Sequence, residues 1–229
     1  MIFSIILPLY KQSQQIQLIV NEYEKALKKE KYTYELLLVV NGEDKASYSI
    51  AKNLAKNNSH IKTIYLKRAG WGNAVRAGIR MSRGTSICYT NSARTRVYDL
   101  ISMLRLAENN SRTVLKATRI MRVGFLRKLG STLYNIECRL LLKVPVWDIN
   151  GTPKIIPRTV MQKISLESND DLLDAELIAK CIWSEVPILE VPVLFPQRFG
   201  GTSTTNFVSA LRMYIGVFRI KKMFYQGKE

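Results

Sequence analysis

Residues 2–90 alternate between short apolar runs and longer segments in which apolar residues recur every three or four positions. Ile2–Leu7 and Tyr34–Val40 are apolar runs, and they are stopped by Pro8 and by Asn41-Gly42. Between them, Gln15–Lys29 has the apolar spacing of an amphipathic helix. A strand, a helix and a second strand in this order predict a parallel pair of strands joined by a right-handed crossover.

The same alternation continues along the chain. It predicts a helix at Ala46–Asn57, a strand at Ile61–Leu66, a helix at Asn73–Ser82 and a strand at Ser86–Thr90. We therefore predict an α/β fold with a doubly wound, mostly parallel sheet and helices on both faces. Past residue 100 the pattern is looser. The elements predicted there are a helix at 98–109, a strand at 113–118, a helix at 126–142, a turn at 148–154, a helix at 170–183 and a strand at 188–195.

In a doubly wound sheet, ligands bind beyond the carboxyl ends of the strands. The segments at those ends are Pro8–Gln12, Asn41–Asp44, Lys67–Gly72 and Asn91–Arg96. The third contains the turn Gly70-Trp71-Gly72, which leads into a helix whose first backbone N–H groups favour a phosphate or another anion. A plain strand-to-helix turn that needs glycine for its backbone is the alternative.

The balance of charge narrows the classes of partner. The chain has 229 residues, with 35 Lys+Arg against 18 Asp+Glu and a formal net charge of +17. Such an excess suits a nucleic acid, an anionic membrane surface or a phosphorylated small molecule. We expect no nucleic-acid partner, because the sequence has no helix-turn-helix, zinc-finger or RNP-type pattern. A single acidic stretch, from Glu167 to Glu190, interrupts this basic chain.

The sequence also argues against a zinc site, a membrane-spanning helix and a signal peptide. With one histidine and three widely spaced cysteines, Cys88, Cys138 and Cys181, we expect no zinc site and reduced cysteines in the core. The longest run without a charge, Phe199–Leu211, is well short of the roughly 20 apolar residues that cross a bilayer. The amino terminus has no basic region or cleavage site, so we expect a first strand there and not a signal peptide.

Several short motifs then occur in a familiar order. They are Ile5–Tyr10, Leu36–Gly42, Gly70–Gly78, Asp174–Leu177, Glu190–Val193 and Arg198–Ser203. In this succession the chain resembles the family 2 glycosyltransferases of the GT-A fold, which include the dolichyl- and polyprenyl-phosphate sugar synthases. The resemblance spans residues 2–204. We therefore predict a glycosyltransferase domain at 1–204 and a separate C-terminal amphipathic, basic helix at 205–229.

The resemblance implies an inverting transfer from a nucleotide-sugar donor to a lipid-linked or polysaccharide acceptor. The donor-binding residues that it implies are Pro8, Tyr10, Lys11, Asn41, Gly70, Gly72, Asn91, Ser92, Arg94 and Arg96. Here the sequence departs from the family in three places. Lys11-Gln12 replaces the usual Asn-Glu, Asn41 replaces the Asp that reads the donor base, and Asn91-Ser92-Ala93 replaces the metal-binding D-x-D.

The missing D-x-D carboxylates leave two alternatives. Hard cations such as Mg²⁺ and Mn²⁺ prefer oxygen ligands, and both carboxylates are absent, so no metal ligand is assigned and no cofactor is certain. In the first alternative, fixed cations such as Arg94, Arg96, Lys11 and Arg68 stabilise the leaving diphosphate. In the second, the protein is an inactive GT-A chain that serves as a binding or partner subunit, and Arg94 and Arg96 belong to a solvated loop.

The acceptor side depends on the acceptor's chemistry. A hydroxyl acceptor needs a base, for which Asp148, Asp174 and Glu176 are the candidates, whereas a lipid phosphate is already ionised. Helix capping is the alternative role for Asp174 and Glu176, and a structural turn is the alternative for Asp148. The acceptor-binding candidates are Lys154, Arg198 and Ser203, with Arg119 and Arg122 as further arginines that suit a phosphate. Thr204, where the lipid-phosphate synthases often have lysine, departs from that pattern.

The segment Phe207–Tyr225 combines a wide apolar arc with basic residues, including Arg212 and Arg219. This pattern is typical of an interfacial helix on an anionic leaflet, and a helix packed on the sheet or on another subunit is the alternative. We therefore expect a cytoplasmic protein that attaches peripherally to the inner face of the plasma membrane. Homo-oligomer formation is left open.

Overall fold

The computed structural model describes residues 2–120, 125–194 and 207–226. Seven strands and eight helices lie within these ranges. The strands are β1 (Ile2–Leu9), β2 (Thr33–Asn41), β3 (Ile61–Leu66), β4 (Ser86–Tyr89), β5 (Val114–Arg119), β6 (Lys154–Pro157) and β7 (Ile188–Val193). The helices are α1 (Ile16–Lys29), α2 (Lys45–Asn57), α3 (Trp71–Met81), α4 (Val97–Glu108), α5 (Phe125–Leu142), α6 (Arg158–Lys163), α7 (Leu173–Trp183) and α8 (Phe207–Gln226).

The strands form one sheet in the order β3-β2-β1-β4-β6-β5-β7. The first four strands are parallel to one another, β5 is parallel to β7, and β6 runs antiparallel to both of its neighbours. The predicted α/β fold with a mostly parallel sheet is therefore confirmed. The turn predicted at 148–154 is shorter than expected, because Lys154 already belongs to β6 and pairs with Tyr89 and Lys116.

Helices cover both faces of the sheet. Side chains alternate between faces along a strand, so Ile5 and Leu7 pack with α1, α2 and α4, whereas Ile6 packs with α3, α6 and α7. The apolar spacing of α1 puts Ile16 and Tyr23 in the first of these two clusters. The two layers hold the carboxyl ends of the parallel strands at one edge of the sheet.

A third apolar cluster lies beside the sheet and joins α5, α7 and α8. Cys138 of α5, Ile178 of α7 and Val217 and Ile220 of α8 are buried within it. The C-terminal helix therefore packs on the rest of the chain, and its separation as a unit of its own stays a prediction. None of the helices described here is both long and apolar enough to span a membrane. The three cysteines are buried and free, as predicted.

Candidate active site

The chain order creates a crevice between β1 and β4. From β1 the chain winds outward through β2 and β3, then returns to place β4 on the other side of β1. The carboxyl ends of two parallel strands diverge at such a switch point, which is where ligands bind in open α/β sheets. Ser92, just after β4, crosses the crevice and donates to the Pro8 carbonyl oxygen at 3.1 Å or to Gln12 Oε1 at 3.0 Å.

Gln12 is the buried amide in this crevice. Its backbone N–H donates to Ser47 Oγ at 3.3 Å, and its Oε1 accepts from Ser92. Its Nε2 is buried and has no hydrogen-bond partner within the described residues. A buried donor without a partner costs free energy, and an oxygen atom of a bound ligand would satisfy it. The sequence prediction named Lys11 and passed over Gln12, whose amide is identifiable only once β1 and β4 are adjacent.

Asn41 connects three pieces of the same edge. Its Nδ2 donates to the Leu9 carbonyl oxygen at 2.9 Å, and its Oδ1 accepts from the Gly70 backbone N–H at 3.1 Å. Asn41 is buried, and the end of β1, the end of β2 and the glycine turn meet at its amide. An ionised aspartate has no donor and would lose the bond to Leu9, so the amide fits this structural position.

Tyr10 and Lys11 form the outer wall of the crevice. The Tyr10 ring lies over Gly42, where an added Cβ would come within 2.9 Å of Tyr10 Cε2. The Lys11 ammonium lies 5.4 Å from the centre of the Tyr10 ring. The backbone N–H of Lys11 donates to Asp44 Oδ2 at 2.7 Å. Tyr10 is half-buried and Lys11 is exposed, so an aromatic surface and a cation lie together at the mouth of the crevice.

The segment that replaces D-x-D follows β4 directly. Asn91 Oδ1 accepts from the Ala93 backbone N–H at 3.1 Å, and its carbonyl accepts from the N–H groups of Arg94 and Thr95. Ser92 is occupied by the crevice bonds, and Ala93 has no side-chain ligand atom. These residues do not fit a divalent cation, which prefers carboxylate oxygens. Across the described ranges, no group of three or more His, Cys, Asp or Glu side chains is placed to hold a metal ion.

The cations at this edge differ in how they are engaged. Arg96 donates from Nε and Nη2 to both oxygens of Asp99, at 2.8 and 2.7 Å, and this bidentate bond raises the pKa of the guanidinium. The charge of Arg96 is therefore balanced within α4. Arg94 is half-buried beside Asn91, and Lys67 and Arg68 are exposed after β3.

The loop before α7 packs directly on the glycine turn. The backbone N–H groups of Gly72 and Asn73 donate to the Asp170 and Asn169 carbonyl oxygens at 3.1 and 2.9 Å. A Cβ on Gly70 would lie 2.6 Å from the Asn169 oxygen, and one on Gly72 would lie 2.6 Å from the Asp170 oxygen. These glycines are therefore required by the close approach of that loop, and their role in binding the donor stays a prediction.

Glu176 holds the same loop from the other side. It is fully buried and accepts from the backbone N–H groups of Glu167 and Ser168, at 2.8 and 2.7 Å, and from Lys180 Nζ at 2.8 Å. Burial alone would raise the pKa of Glu176, but the hydrogen bonds from Lys180, Ser168 and Glu167 outweigh it and lower the pKa below its ordinary value. A buried carboxylate with all of these partners has a structural role in the loop, and its predicted role as a base stays a prediction that this arrangement does not favour.

Asp174 lies in a buried network beneath the glycine turn. Its Oδ1 accepts from Tyr89 Oη at 2.7 Å and from Lys154 Nζ at 2.5 Å, and its Oδ2 accepts from Trp71 Nε1 at 2.9 Å. Lys154 has 0% exposure; burial lowers its pKa, and Asp174 opposes that shift. Asp174 and Lys154 therefore form an ion pair in the core. This pairing does not favour their predicted roles as catalytic base and acceptor ligand, which stay predictions.

A second buried lysine was missed by the sequence analysis. Lys116, next to Lys154 across β5 and β6, donates to Glu190 Oε1 at 2.7 Å and to the Trp147 carbonyl oxygen at 2.5 Å. Burial lowers its pKa to about 8, against the opposing effect of Glu190. A lysine inside a short apolar strand gives no local sign that a carboxylate from β7 lies beside it.

Asp148 is engaged as well. It has a left-handed backbone conformation and is buried, and its carboxylate accepts from the backbone N–H of Arg119 at 2.8 Å and pairs with the Arg119 guanidinium. The structural turn considered for Asp148 is thus the arrangement observed, and its role as a base is not favoured. Arg198, Ser203 and Arg122, and the separately noted Thr204, lie outside the described residues.

The seven-stranded sheet, the crevice at its switch point and the two helical layers define a GT-A glycosyltransferase domain. The profile described as Glycosyl transferase family 2 matches residues 4–164. The chain belongs to this family, and it is a glycosyltransferase by that membership.

One sequence relative and one solved structure show what the chain is similar to within this fold. It is 25% identical, over 95% of its length and 73% of the relative's, to a dolichyl-phosphate beta-glucosyltransferase of Drosophila melanogaster. Its fold matches glucosyl-3-phosphoglycerate synthase from Mycobacterium tuberculosis in complex with Mn²⁺, UDP and glucosyl-3-phosphoglycerate. That match has a TM-score of 0.71 and 12% identity, and it covers 97% of this chain and 79% of the other. The same synthase in complex with Mn²⁺, UDP-glucose and phosphoglyceric acid gives a TM-score of 0.72. At this level of identity the two structures show a shared fold alone.

Proposed function

We propose that the protein transfers a sugar, with inversion, from a nucleotide-sugar donor to a lipid phosphate at the cytoplasmic face of the membrane. We further propose that fixed cations take the place of a D-x-D-bound metal ion. The observation that carries the proposal is the composition of the β1–β4 crevice. Its polar side chains include the neutral groups of Gln12, Asn91 and Ser92, and the cations Lys11 and Arg94 lie just after β1 and β4.

The donor fits this crevice in two parts. The Tyr10 ring offers an apolar surface to the base, and the unpaired Gln12 Nε2 offers a hydrogen bond to a donor oxygen. The diphosphate then lies toward Arg94, Lys11 and Arg68, whose positive charges oppose the negative charge that develops on it. Guanidinium groups suit this task because their planar donors match phosphate oxygens.

The burial and bonding of the three candidate carboxylates favour an acceptor that needs no base. Asp148, Asp174 and Glu176, the three candidates for a base, are all buried and engaged. A hydroxyl acceptor must lose a proton to a base, whereas a phosphate monoester is already ionised and needs none. The similarity to an enzyme named for dolichyl phosphate supports the same choice.

The proposed transfer needs no proton to move. A phosphate oxygen of the acceptor attacks the anomeric carbon, and the bond from that carbon to the donor diphosphate breaks as the new bond forms. The electron pair leaves with the nucleoside diphosphate, and the anomeric configuration inverts. In this step the chain positions the acceptor phosphate in line with the bond to the donor diphosphate. It also stabilises the negative charge of the departing diphosphate.

The experiment is a calorimetric binding screen of UDP-, GDP- and dTDP-sugars, first in EDTA and then in Mn²⁺. We expect one donor to bind with equal affinity in both conditions and Arg94→Ala to weaken it about tenfold or more. Lys52→Ala, which changes an exposed lysine in the middle of α2, is the matched control and should bind as the unmodified chain does. Binding that requires Mn²⁺, or is unchanged in Arg94→Ala, would overturn the fixed-cation proposal.

The acceptor is tested separately, by incubating the bound donor with polyprenyl phosphate or with a polysaccharide. Sugar transfer to the polyprenyl phosphate is the expected result. Transfer only to the polysaccharide would contradict the acceptor assignment. Donor binding without transfer to either would favour the alternative of a non-catalytic partner subunit.

A further inference from the structure

Helices α5 and α8 each carry a line of exposed large apolar side chains. On α5 the line follows positions 133, 136 and 140, and on α8 it follows 211, 215 and 218, so each repeats at helical spacing. The six residues are Leu133, Ile136 and Leu140, and Leu211, Ile215 and Phe218. Their exposure is high, with 74% for Leu140, 64% for Ile215 and 58% for Phe218. We call this surface the apolar platform.

The two lines belong to one surface. Tyr134 of α5 and Tyr214 of α8 meet edge to face with ring centres 5.7 Å apart, and Tyr214 Oη donates to the Gly130 carbonyl oxygen at 2.6 Å. The opposite faces of both helices, including Cys138 and Val217, are buried in the third apolar cluster. The platform therefore points away from the core on both helices.

Basic and aromatic side chains border the platform. Lys143 follows the end of α5, and Arg212 and Lys222 are exposed on α8, whereas Glu137, the acidic residue beside the α5 line, is half-buried. Trp147 is exposed at the edge of α5, where the Arg139 guanidinium lies 4.1 Å from the centre of its ring. An apolar surface with lysines, arginines and a tryptophan at its margin is the composition of a helix face that lies in a membrane interface.

We propose that the apolar platform docks on an anionic lipid leaflet. The bordering cations argue against a second copy of this chain as the occupant. A two-fold interface over the platform would enclose the basic margins of both copies, and their like charges would repel each other. An anionic leaflet instead attracts each nearby lysine or arginine while the apolar side chains enter the acyl boundary.

The inference rests on the proposed function in one respect, since a lipid-phosphate acceptor is presented at a membrane surface. It extends the sequence prediction as well, because the pattern of α8 alone gave no role to α5. Two packed helices present a broader apolar surface than one, and membrane affinity rises with the apolar area that is buried.

The test is sedimentation of the full chain with vesicles of equimolar phosphatidylcholine and phosphatidylglycerol, and with vesicles of phosphatidylcholine alone. We expect binding to the anionic vesicles only. Arg212→Gln and Lys222→Gln should each weaken it about fivefold. Leu140→Gln with Ile215→Gln should weaken it by about tenfold or more. Leu18→Gln on α1, a leucine with 62% exposure outside the platform, is the matched control and should not change it.

The outcomes separate this inference from the proposed function. Donor binding in EDTA should be unchanged in all platform variants, so loss of vesicle binding alone locates the effect in the platform. Vesicle binding that is unaffected by the platform variants, or equal on neutral vesicles, would overturn the inference. So would a dimer in analytical ultracentrifugation that dissociates in the Leu140→Gln and Ile215→Gln variant, since a second copy would then be the occupant.

Discussion

Asp174 accepts hydrogen bonds from three elements of the fold, through Trp71 of α3, Tyr89 of β4 and Lys154 of β6. Burial and the neighbouring Asp174 charge raise the pKa of Tyr89, so its hydroxyl stays protonated and remains a donor. The carboxylate thus joins the glycine turn to strands β4 and β6. We therefore expect Asp174 to act on the positions of those elements.

Replacing Asp174 with Asn tests this role. The change leaves Lys154 buried without a counter-charge, so we expect the free energy of unfolding to fall by about 3 kcal/mol in urea denaturation. Lys154→Met added to Asp174→Asn removes the uncompensated charge and should recover part of that loss. If Asp174→Asn instead abolished transfer while stability stayed the same, Asp174 would be the catalytic base that the sequence suggested.

The lowered pKa of Glu176 predicts how the stability of the protein depends on pH. The folded-state pKa of Glu176 is lowered, so its contribution to stability is present above the unfolded value of about 4.3 and is lost as pH falls through the folded value. Glu176→Gln should therefore destabilise the protein by about 2 kcal/mol near neutral pH, with the difference shrinking below about pH 4. Denaturant titrations of both proteins from pH 7 to pH 3 measure it. A difference that is constant across this range would contradict the lowered pKa.

At the scale of elements, the loop before α7 packs against the start of α3. Gly72→Ala would push a Cβ into the carbonyl oxygens of Ser168 and Asp170, so we expect a loss of about 2 kcal/mol in stability and weaker donor binding. Gly130→Ala in α5 is the control, because no atom lies within 4 Å of its added Cβ. That change should stabilise the chain by about 0.5 to 1 kcal/mol in thermal unfolding. Equal effects of the two substitutions would contradict the packing described for the turn.

The elements predicted from the sequence are those whose pattern is local. Six of the strands and the amphipathic helices with long apolar periods were predicted to within three residues of their observed ends. Strand β6 was not, because its four residues begin with Lys154 and follow a turn, and only pairing with β4 and β5 makes them a strand. The same distinction holds for the candidate site. Its amides and cations can be identified in the sequence, but the partners that bury Asp174, Glu176 and Asp148 come from distant segments.

At the scale of the whole molecule, part of the charge of +17 lies at two functional surfaces. Lys11, Arg68 and Arg94 follow strands β1, β3 and β4, and other cations border the apolar platform. Buried lysines such as Lys116 and Lys154 are neutralised by carboxylates and add nothing to either surface. The cations of these two surfaces are the ones that we assign to the donor diphosphate and to the leaflet.

This distribution predicts how donor binding depends on salt. Exposed charges are screened within a Debye length of about 8 Å at physiological ionic strength, so donor affinity should fall as salt is raised. The dependence should be shallower in Arg94→Ala, which has lost one of the interacting charges, and unchanged in Lys52→Ala. Calorimetric titrations at three salt concentrations give the slopes. Equal slopes for Arg94→Ala and the unmodified chain would contradict a direct role for that arginine.

The most direct test of the account is the rate of nucleoside diphosphate release from the bound donor with polyprenyl phosphate as acceptor. It is measured in EDTA and again with Mn²⁺. Fixed cations in place of a carboxylate-bound metal predict the same rate in both, and a strongly reduced rate for Arg94→Ala in both. Transfer that stops in EDTA and is restored by Mn²⁺ would contradict the account.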